Sequence, residues 1–527
     1  MKKLILFGVF CLVFVTAYGQ IDLPASLEWG DELREPKGTR IIKVISYGAA
    51  GFYAVRLKEP NGLSAGQELY IERYDGDRKL KKAQKIDLKY KGKQRDFEDV
   101  VKVGRELYML TSFHNQAKKK NYLFYQKVSR RLTVSKSLVK IGEIDTRNRT
   151  REGSFDIVIS KDSSKVLLYN QLPFRKNEPE RFAFQVFDDN FEERWNKDIT
   201  LPYPDNQFSV EEYQIDEKGN IYLLGVIYED KARRRRKGQP TYKYTVLAYR
   251  NQGEDFREYK LDLTEKFITD LTFRIGNDGN LVCSGFYSEK GTYSIKGTYF
   301  FRLNAETEEI YNANFKAFDF QFLTEYMSDG KRDRALKAER SGNVRRAPEL
   351  YQYSLDELIL RSDGGALLVA EQFYVYERSY RYWDGTFRYD YYYNYNDLII
   401  VNIRPNGEIE WATRIPKRQE TMNDGGYYSS YAMSIVRDRI YFIYNENARN
   451  FDQNQNVQRL YNFNGRYSVI ALTELKKDGS IRTFPLFHNQ DVDIITRPKI
   501  CKQIGSKRMM VYGERGRNFR FATLDFE

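Results

Sequence analysis

The sequence predicts an all-β repeat fold built from four-stranded units. Three observations predict it. Strand-like runs recur along the 527 residues, Asp-Gly and Asn-Gly turns punctuate them, and a small residue returns at a fixed distance after those turns. Phe208 to Tyr228 shows the pattern: an alternating run, the turn Asp216 to Asn220, then Ile221-Tyr222-Leu223-Leu224-Gly225. Leu271 to Tyr287 and Ser354 to Tyr374 repeat it with the turns Asn277 to Asn280 and Ser362 to Gly365. The small residues Gly225, Gly285 and Ala370 each fall five positions after the turn, and Arg508 to Gly513 keeps that offset.

The elements follow in chain order. Lys2 and Lys3 precede an apolar run, Leu4 to Val15, that ends in Ala17-Tyr18-Gly19, the pattern of a secretory signal peptide over residues 1–19. Its loss would lower the formal charge from +13 to +11. No later run approaches the length of a membrane-spanning helix. First strands begin near Ile41, Phe97, Ser154, Ser209, Thr269, Ser354, Ser429 and Lys499, at steps of 55 to 85 residues. Each hairpin is followed by two more strand-like segments, as in Asp397 to Trp411 and Tyr467 to Leu486. The last unit has room for three strands only: Lys499–Ile504, Arg508–Gly513 and Asn518–Phe526. Leu27-Glu28-Trp29 matches the outer-strand pattern of Phe191 to Trp195 and Ile409-Glu410-Trp411, so the N-terminus supplies the missing strand. Residues 20–527 therefore read as a single eight-bladed β-propeller closed by an N-terminal strand in the last blade, which leaves no open sheet edge. A seven-bladed ring is the competing count, and a pair of β-sandwiches fits the closing strand poorly.

The blade pattern resembles that of β-propeller repeat proteins over about Ser26 to Glu527. Leu358 to Glu371 and Asn423 to Asn447 resemble a group of exported bacterial propeller proteins with no assigned activity. The resemblance implies a fold and no reaction, since propellers host many functions. No WD, kelch or Asp-box signature recurs with the repeat; the single Trp-Asp pair, Trp383-Asp384, lies off it.

Length in excess of the repeat collects in the second-to-third-strand loops and the blade connections, which share one propeller face. These are Gln171–Arg181, Glu229–Lys243, Tyr376–Asn394, Asn447–Arg466 and the insertion 319–352. One-sided insertion marks a binding face. Phe373 to Tyr395 holds 12 aromatics in 23 residues, including Tyr380, Tyr382, Trp383, Phe387, Tyr389 and Tyr391. Such side chains anchor protein interfaces and stack on sugars, although they could equally pack on one another in a two-stranded extension. Trp29, Trp195 and Trp411 occupy equivalent outer-strand positions and are assigned to structure; Trp383 alone lies off the repeat. Arg233, Arg234, Arg235 and Arg236 form a basic loop suited to an acidic partner. Lys331 to Arg346 sets seven basic residues against two acids on a predicted short helix between Asp329 and Gly342.

Two His and three Cys leave little scope for imidazole metal sites, zinc clusters or a disulfide scaffold. GxSxG, HExxH, P-loop and EF-hand patterns are missing too. Cys283 and Cys501 sit in apolar strand patterns of different units and read as buried thiols. His114 and His488 lie at strand ends without a nucleophile beside them. No cofactor and no metal are expected, nor is nucleic acid for an exported chain. The expectation is a non-enzymatic binding or scaffold protein of a bacterial cell envelope, periplasmic or secreted to the surface. It would engage a protein partner through the aromatic residues and the arginines, with peripheral membrane contact compatible with its basic loops. The alternative is a carbohydrate-binding protein or propeller-type glycosidase, whose paired carboxylates would come from separate blades.

Overall fold

The computed structural model describes residues 23–527 except 60–65, 147–152, 173–177, 230–234, 237–238, 262, 264–265, 292, 382–385 and 452–459. The segment 1–19 and residues Arg233, Arg234, Tyr382 and Trp383 thus lie outside the described residues. The described chain is almost wholly β, in four-stranded antiparallel sheets of consecutive strands, the unit of a propeller blade. The first comprises Arg40–Ser46, Gly51–Lys58, Glu68–Asp75 and Leu80–Ile86. Later sheets open with Asp96–Val103, Ser154–Ile159, Phe208–Ile215, Phe267–Ile275, Tyr353–Leu360 and Tyr431–Val436. These starts fall within two residues of those predicted from the turns.

The last sheet is assembled from both ends of the chain. Arg508–Arg515 pairs with Asn518–Phe526, whose far side pairs with Ala25–Trp29 in the register Ala25↔Phe526 to Trp29↔Ala522. Its first strand differs from the predicted Lys499–Ile504. Ile495–Thr496 and Lys502–Gly505 each pair with Arg508–Arg515, and a 3-10 turn over Pro498–Ile500 separates them. Pro498 has no N–H for a ladder bond and a fixed φ, so the strand breaks there.

Hydrophobic clusters join each sheet to the next. Val55 packs with Val100, Val103 with Leu168, and Phe184 with Leu223. Val246 packs with Phe273, Phe300 with Leu368, and Ile400 with Phe442. Ile443 and Val511 share a cluster, and another returns to the start by joining Phe52 and Tyr74 to Tyr512 and Phe521. A sheet apolar on both faces is thereby covered twice.

The short turns follow their chemistry. Gly279 and Gly479 stand at φ +79° and +83°, where a side chain is disfavoured. Asp216 Oδ1 accepts the backbone N–H groups of Lys218 and Asn220 at 2.9 and 2.8 Å. The recurrent small residue has a packing cause. A Cβ on Gly225 would strike the Phe208 ring, and one on Gly285 the Asp270 carbonyl oxygen; both partners belong to the first strand of the same sheet. Ala370, at the same offset, is fully buried. The first strands shift register close to this point in the first, second, fourth, fifth and sixth sheets, as between Val210 and Glu212 or Leu355 and Glu357. Such bulges bend the strand over its neighbour.

The structural reading of the outer tryptophans also has a cause. Trp195 Nε1 donates to Gly219 O at 3.2 Å and Trp411 Nε1 to Lys477 O at 2.9 Å, both in turns of the following sheet. Their rings lie against Gly253 and Gly479, leaving no room there for a Cβ without displacement. Trp29 meets the Phe487 ring edge-on at 5.1 Å. Cys283 and Cys501 are free and buried, and burial pushes the Cys501 thiol up to about 12.

At the junction of the first and last sheets lies a buried charge cluster. Arg56, without solvent exposure, pairs with Glu35 and with Glu72 at 3.1 Å, and its guanidinium lies 4.6 Å from the Phe519 ring centroid. Tyr74 Oη donates to Glu72 at 2.8 Å, and Arg517 holds the Glu35 carbonyl at 2.8 Å. Burial raises the Glu35 carboxyl to about 7 against the pull of Arg56.

Two stability outcomes follow. Gly285→Ala should cost about 1–3 kcal/mol by overpacking, read as a lower denaturation midpoint; a neutral result would refute the steric account. Arg56→Met should cost about 3–5 kcal/mol because two carboxylates lose their buried partner. Adding Glu35→Gln should recover part of that loss in the same urea titration.

Candidate functional site

The sixth sheet departs from the others. Its second and third strands, Ala366–Arg381 and Phe387–Ile403, run 16 and 17 residues, and its fourth, Ile409–Met422, runs 14. The segment read as a loop, Tyr376–Asn394, is therefore a strand hairpin in its described residues, paired from Tyr376↔Tyr392 to Arg381↔Phe387. Alternating residues sustain pairing to its end, and from Phe373 to Arg381 the hairpin extends about 30 Å past the sheet body. The third strand pairs with the fourth only as far as Tyr392↔Met422, so the outermost part has two strands.

The register sorts the aromatics by face. Phe373, Val375, Glu377, Ser379 and Arg381 stand opposite Tyr395, Tyr393, Tyr391, Tyr389 and Phe387. On this face Phe373, Val375, Tyr391, Tyr389 and Phe387 are 37% to 56% exposed. Tyr380 pairs with Arg388 and so lies on the opposite face, with Tyr376 and Tyr392. There Tyr376 and Tyr392 stack at 4.8 Å and 2°, the Arg378 guanidinium lies 5.0 Å from the Tyr392 centroid, and Tyr376 Oη donates to Glu420 at 3.2 Å. Rings touch one another on both faces, Tyr376 with Tyr392 on one and Phe387 with Tyr389 on the other, and both leave rings in solvent: Tyr380 on the first, Phe387, Tyr389 and Tyr391 on the second.

Side chains seal the hairpin's edges. Asn423 exchanges hydrogen bonds with the Tyr391 backbone, its amide accepting at 2.8 Å and its N–H donating at 2.9 Å. The Asn462 amide does the same to Glu420 at 2.7 and 2.9 Å. A buried network holds the base. Lys417 Nζ donates to Glu371 at 2.7 Å and to the Tyr395 carbonyl at 2.8 Å. Ser430 Oγ donates to the other Glu371 oxygen at 2.7 Å, and Gln419 Nε2 to Asn445 O at 2.8 Å. Lys499 donates to Tyr395 Oη at 2.8 Å and lies 4.0 Å over that ring; burial lowers its ammonium pKa. The network spans the sixth, seventh and eighth sheets and fixes where the hairpin leaves them.

Next to it, a cavity of about 600 Å³ is lined by the sixth-sheet residues Asp356 and Glu357, by Tyr431, and by Lys502 and Gln503. Tyr431 Oη donates to Asp356 at 2.8 Å. Surrounding protein and then the charge of Glu371 raise the Asp356 carboxyl above the ordinary carboxylate value, although the side chain still meets solvent. His114 and His488 lie at or near strand ends in the second and seventh sheets, and neither lines this cavity. Among the described residues no cluster of His, Cys, Asp and Glu suits a metal ion, and no helix is long and apolar enough to cross a membrane.

The predicted arginine loop is described only in part. The Arg235–Arg236 backbone pairs with Gln239–Pro240. The predicted basic helix is α2, Asp329–Arg340, preceded by α1, Phe320–Thr324. Gly342, at φ +64°, follows the end of α2 as the sequence indicated. The network and the cavity escaped sequence reading because residues bonded to one another in it lie up to 104 positions apart.

No protein-family model matches the chain, and no curated protein sequence matches it. Among solved structures, the WD40 domain of SCAP from fission yeast aligns over 95% of this chain and 95% of its own at 10% identity, with a TM-score of 0.41. The β-propeller domain of the Trilobed protease from Pyrococcus furiosus covers 85% and 98% at 11% identity and a TM-score of 0.35. The α-L-arabinanase of Penicillium chrysogenum, complexed with arabinobiose, covers 64% and 90% at 10% identity and 0.31. These likenesses are remote, and the architecture rests on the sheets and the clusters between them.

Glu446, buried beside this network, gives a pH signature. Burial raises its carboxyl to about 7, although the Asn447 N–H and the Asn450 amide donate to it at 2.8 and 2.6 Å. The unfolded chain loses this proton near the ordinary carboxylate value, the folded chain only near 7. Stability should therefore fall as pH rises from about 4.5 to about 7, by up to about 3 kcal/mol from this group. Glu446→Gln should remove that part of the slope in melting temperature against pH. Parallel curves for the two proteins would overturn the assignment.

Proposed function

We propose that the eight sheets are the blades of one eight-bladed β-propeller, closed by the strand Ala25–Trp29. On this reading the chain is a non-enzymatic binding or scaffold protein of a bacterial cell envelope, exported by residues 1–19 and working in the periplasm or at the cell surface. It holds a protein partner through the hairpin of the sixth blade. The observation that carries the reading is the open face of that hairpin, where Phe373, Val375, Phe387, Tyr389 and Tyr391 stay exposed on a backbone fixed at its base and edges. An apolar face of this kind marks an interaction surface. Rigid rings bury large area at small entropic cost, which makes them anchors of protein interfaces. The long loops lie on the same propeller face, and basic residues among them steer an acidic partner toward the rings.

Exposed tyrosine rings also stack on sugars, so a glycan-directed protein is the second reading; it predicts stabilisation of the melt by a polysaccharide. The test of the first is a combined Phe387→Thr, Tyr389→Thr, Tyr391→Thr variant, which keeps strand propensity and removes the rings. Affinity capture from the native envelope should lose a partner held by the parent protein, with the melting temperature unchanged. Identical captured proteins would refute the proposal.

A further inference from the structure

The connection between the fifth and sixth sheets borders an open basin of about 770 Å³ that the hairpin does not use. Lys331, Arg334, Ala335 and Ala338 stand at i, i+3, i+4 and i+7 on α2, so they share one side of the helix, and all four line the cavity. Ala335 and Ala338 are buried, bringing the helix close to its support. Lys290, from the loop between the second and third strands of the fifth sheet, and Arg345 and Arg346, beyond α2, complete the charged lining with Lys337.

The wall is built, not incidental. Ser294–Ile295 pairs with Leu350–Tyr351, tying the loop to the connection, and Lys290 Nζ donates to the Ala347 carbonyl. Glu349 is the one carboxylate among the lining residues. It is 3% exposed and its oxygens accept from Ser288 Oγ at 2.8 Å and from the Glu289 N–H at 3.2 Å. Its charge is thus engaged within the wall. Among the described residues Lys331, Arg334, Lys337, Arg345 and Arg346 make no ion pair with a carboxylate. A recess of one sign with protein walls concentrates the field and the counter-ion.

Shape and spacing narrow the ligand. The volume falls in the range of small-molecule sites. Lys331 and Lys337 are separated by about 9 Å along the helix axis, more than one tetrahedral oxyanion bridges. Guanidinium forks from Arg334, Arg345 and Arg346 match phosphate oxygens in pairs. We propose that this basin binds a ligand carrying at least two phosphate groups, either free in solution or as a lipid headgroup. The inference is independent of the hairpin reading.

The experiment uses the full mature chain. Calorimetric titration with tripolyphosphate at low salt should give saturable binding that weakens as salt is added, with orthophosphate far weaker. Arg334→Glu, and separately Arg346→Gln on the loop, should weaken tripolyphosphate binding on the order of tenfold or more, with unchanged melting temperatures. Cosedimentation with phosphatidylcholine vesicles containing cardiolipin, lost in both variants, would support a lipid source. Tripolyphosphate binding without cosedimentation would support a soluble one. Absence of saturable binding, equal binding by both variants, or equal affinity for a polyglutamate peptide would overturn the proposal.

Discussion

Each sheet of this chain carries apolar side chains on both faces and can cover them only by lying between two others. In a linear stack the two terminal sheets would leave one face each in water. The first and last sheets meet instead, through Phe52, Tyr74, Tyr512 and Phe521. That meeting depends on a strand from the far end of the chain, since the last sheet lacks a fourth strand until Ala25–Trp29 joins it. The junction also holds buried charge. Arg56, Glu35 and Glu72 sit among aromatic rings, and an ion pair so placed contributes less to stability than its Coulomb energy suggests. Its value is positional: Glu35 and Glu72 both hold Arg56, while Arg517 of the last sheet holds the Glu35 carbonyl, so the cluster ties the N-terminal segment to both sheets.

Closure fixes the frame from which the sixth sheet departs. Its hairpin is long, yet every strand edge near the base is occupied, by Asn423, by Asn462 and by the Lys417–Glu371 pair. The rings of Phe387, Tyr389 and Tyr391 are therefore presented on ordered backbone, and binding through them would not first have to order a flexible loop. The helical connection beside it is arranged otherwise, with buried alanines beneath and cations at the rim. One surface offers apolar area and the other offers charge.

Much of this was legible in the sequence because the responsible interactions are local. Asp-Gly turns and period-two runs place the first strands, and the Glu-Trp pattern of Leu27 to Trp29 identifies the closing strand. Gly225 and Gly285 mark where the first strand crosses the second, although a repeated glycine does not say what it avoids. The failures have equally physical causes. Pro498 splits a strand that hydrophobicity alone continues. Tyr376–Asn394 reads as an insertion by length, while its alternation already encoded two strands. The network of Glu371, Lys417, Gln419 and Asn445 joins positions whose proximity exists only after the sheets assemble. The basin was half visible as a run of cations, but its depth depends on Lys290, which comes from another loop.

The pairing of Ala25 with Phe526 also sets an order of events during synthesis. The outer strand of the last sheet is made long before its partner, because the whole of the other sheets lies between them in sequence. Until Asn518–Phe526 emerges, the N-terminal strand has no ladder to join, and the first sheet exposes the face that will cover Tyr512 and Phe521. Intermediate sheets can form and stack as they appear, but the last sheet gains its outer strand only after Asn518–Phe526 has been made. Such long-range pairing makes folding slow and leaves sticky edges in the interim. A nascent or truncated chain would accordingly hold most of its sheets and still behave as an aggregation-prone intermediate.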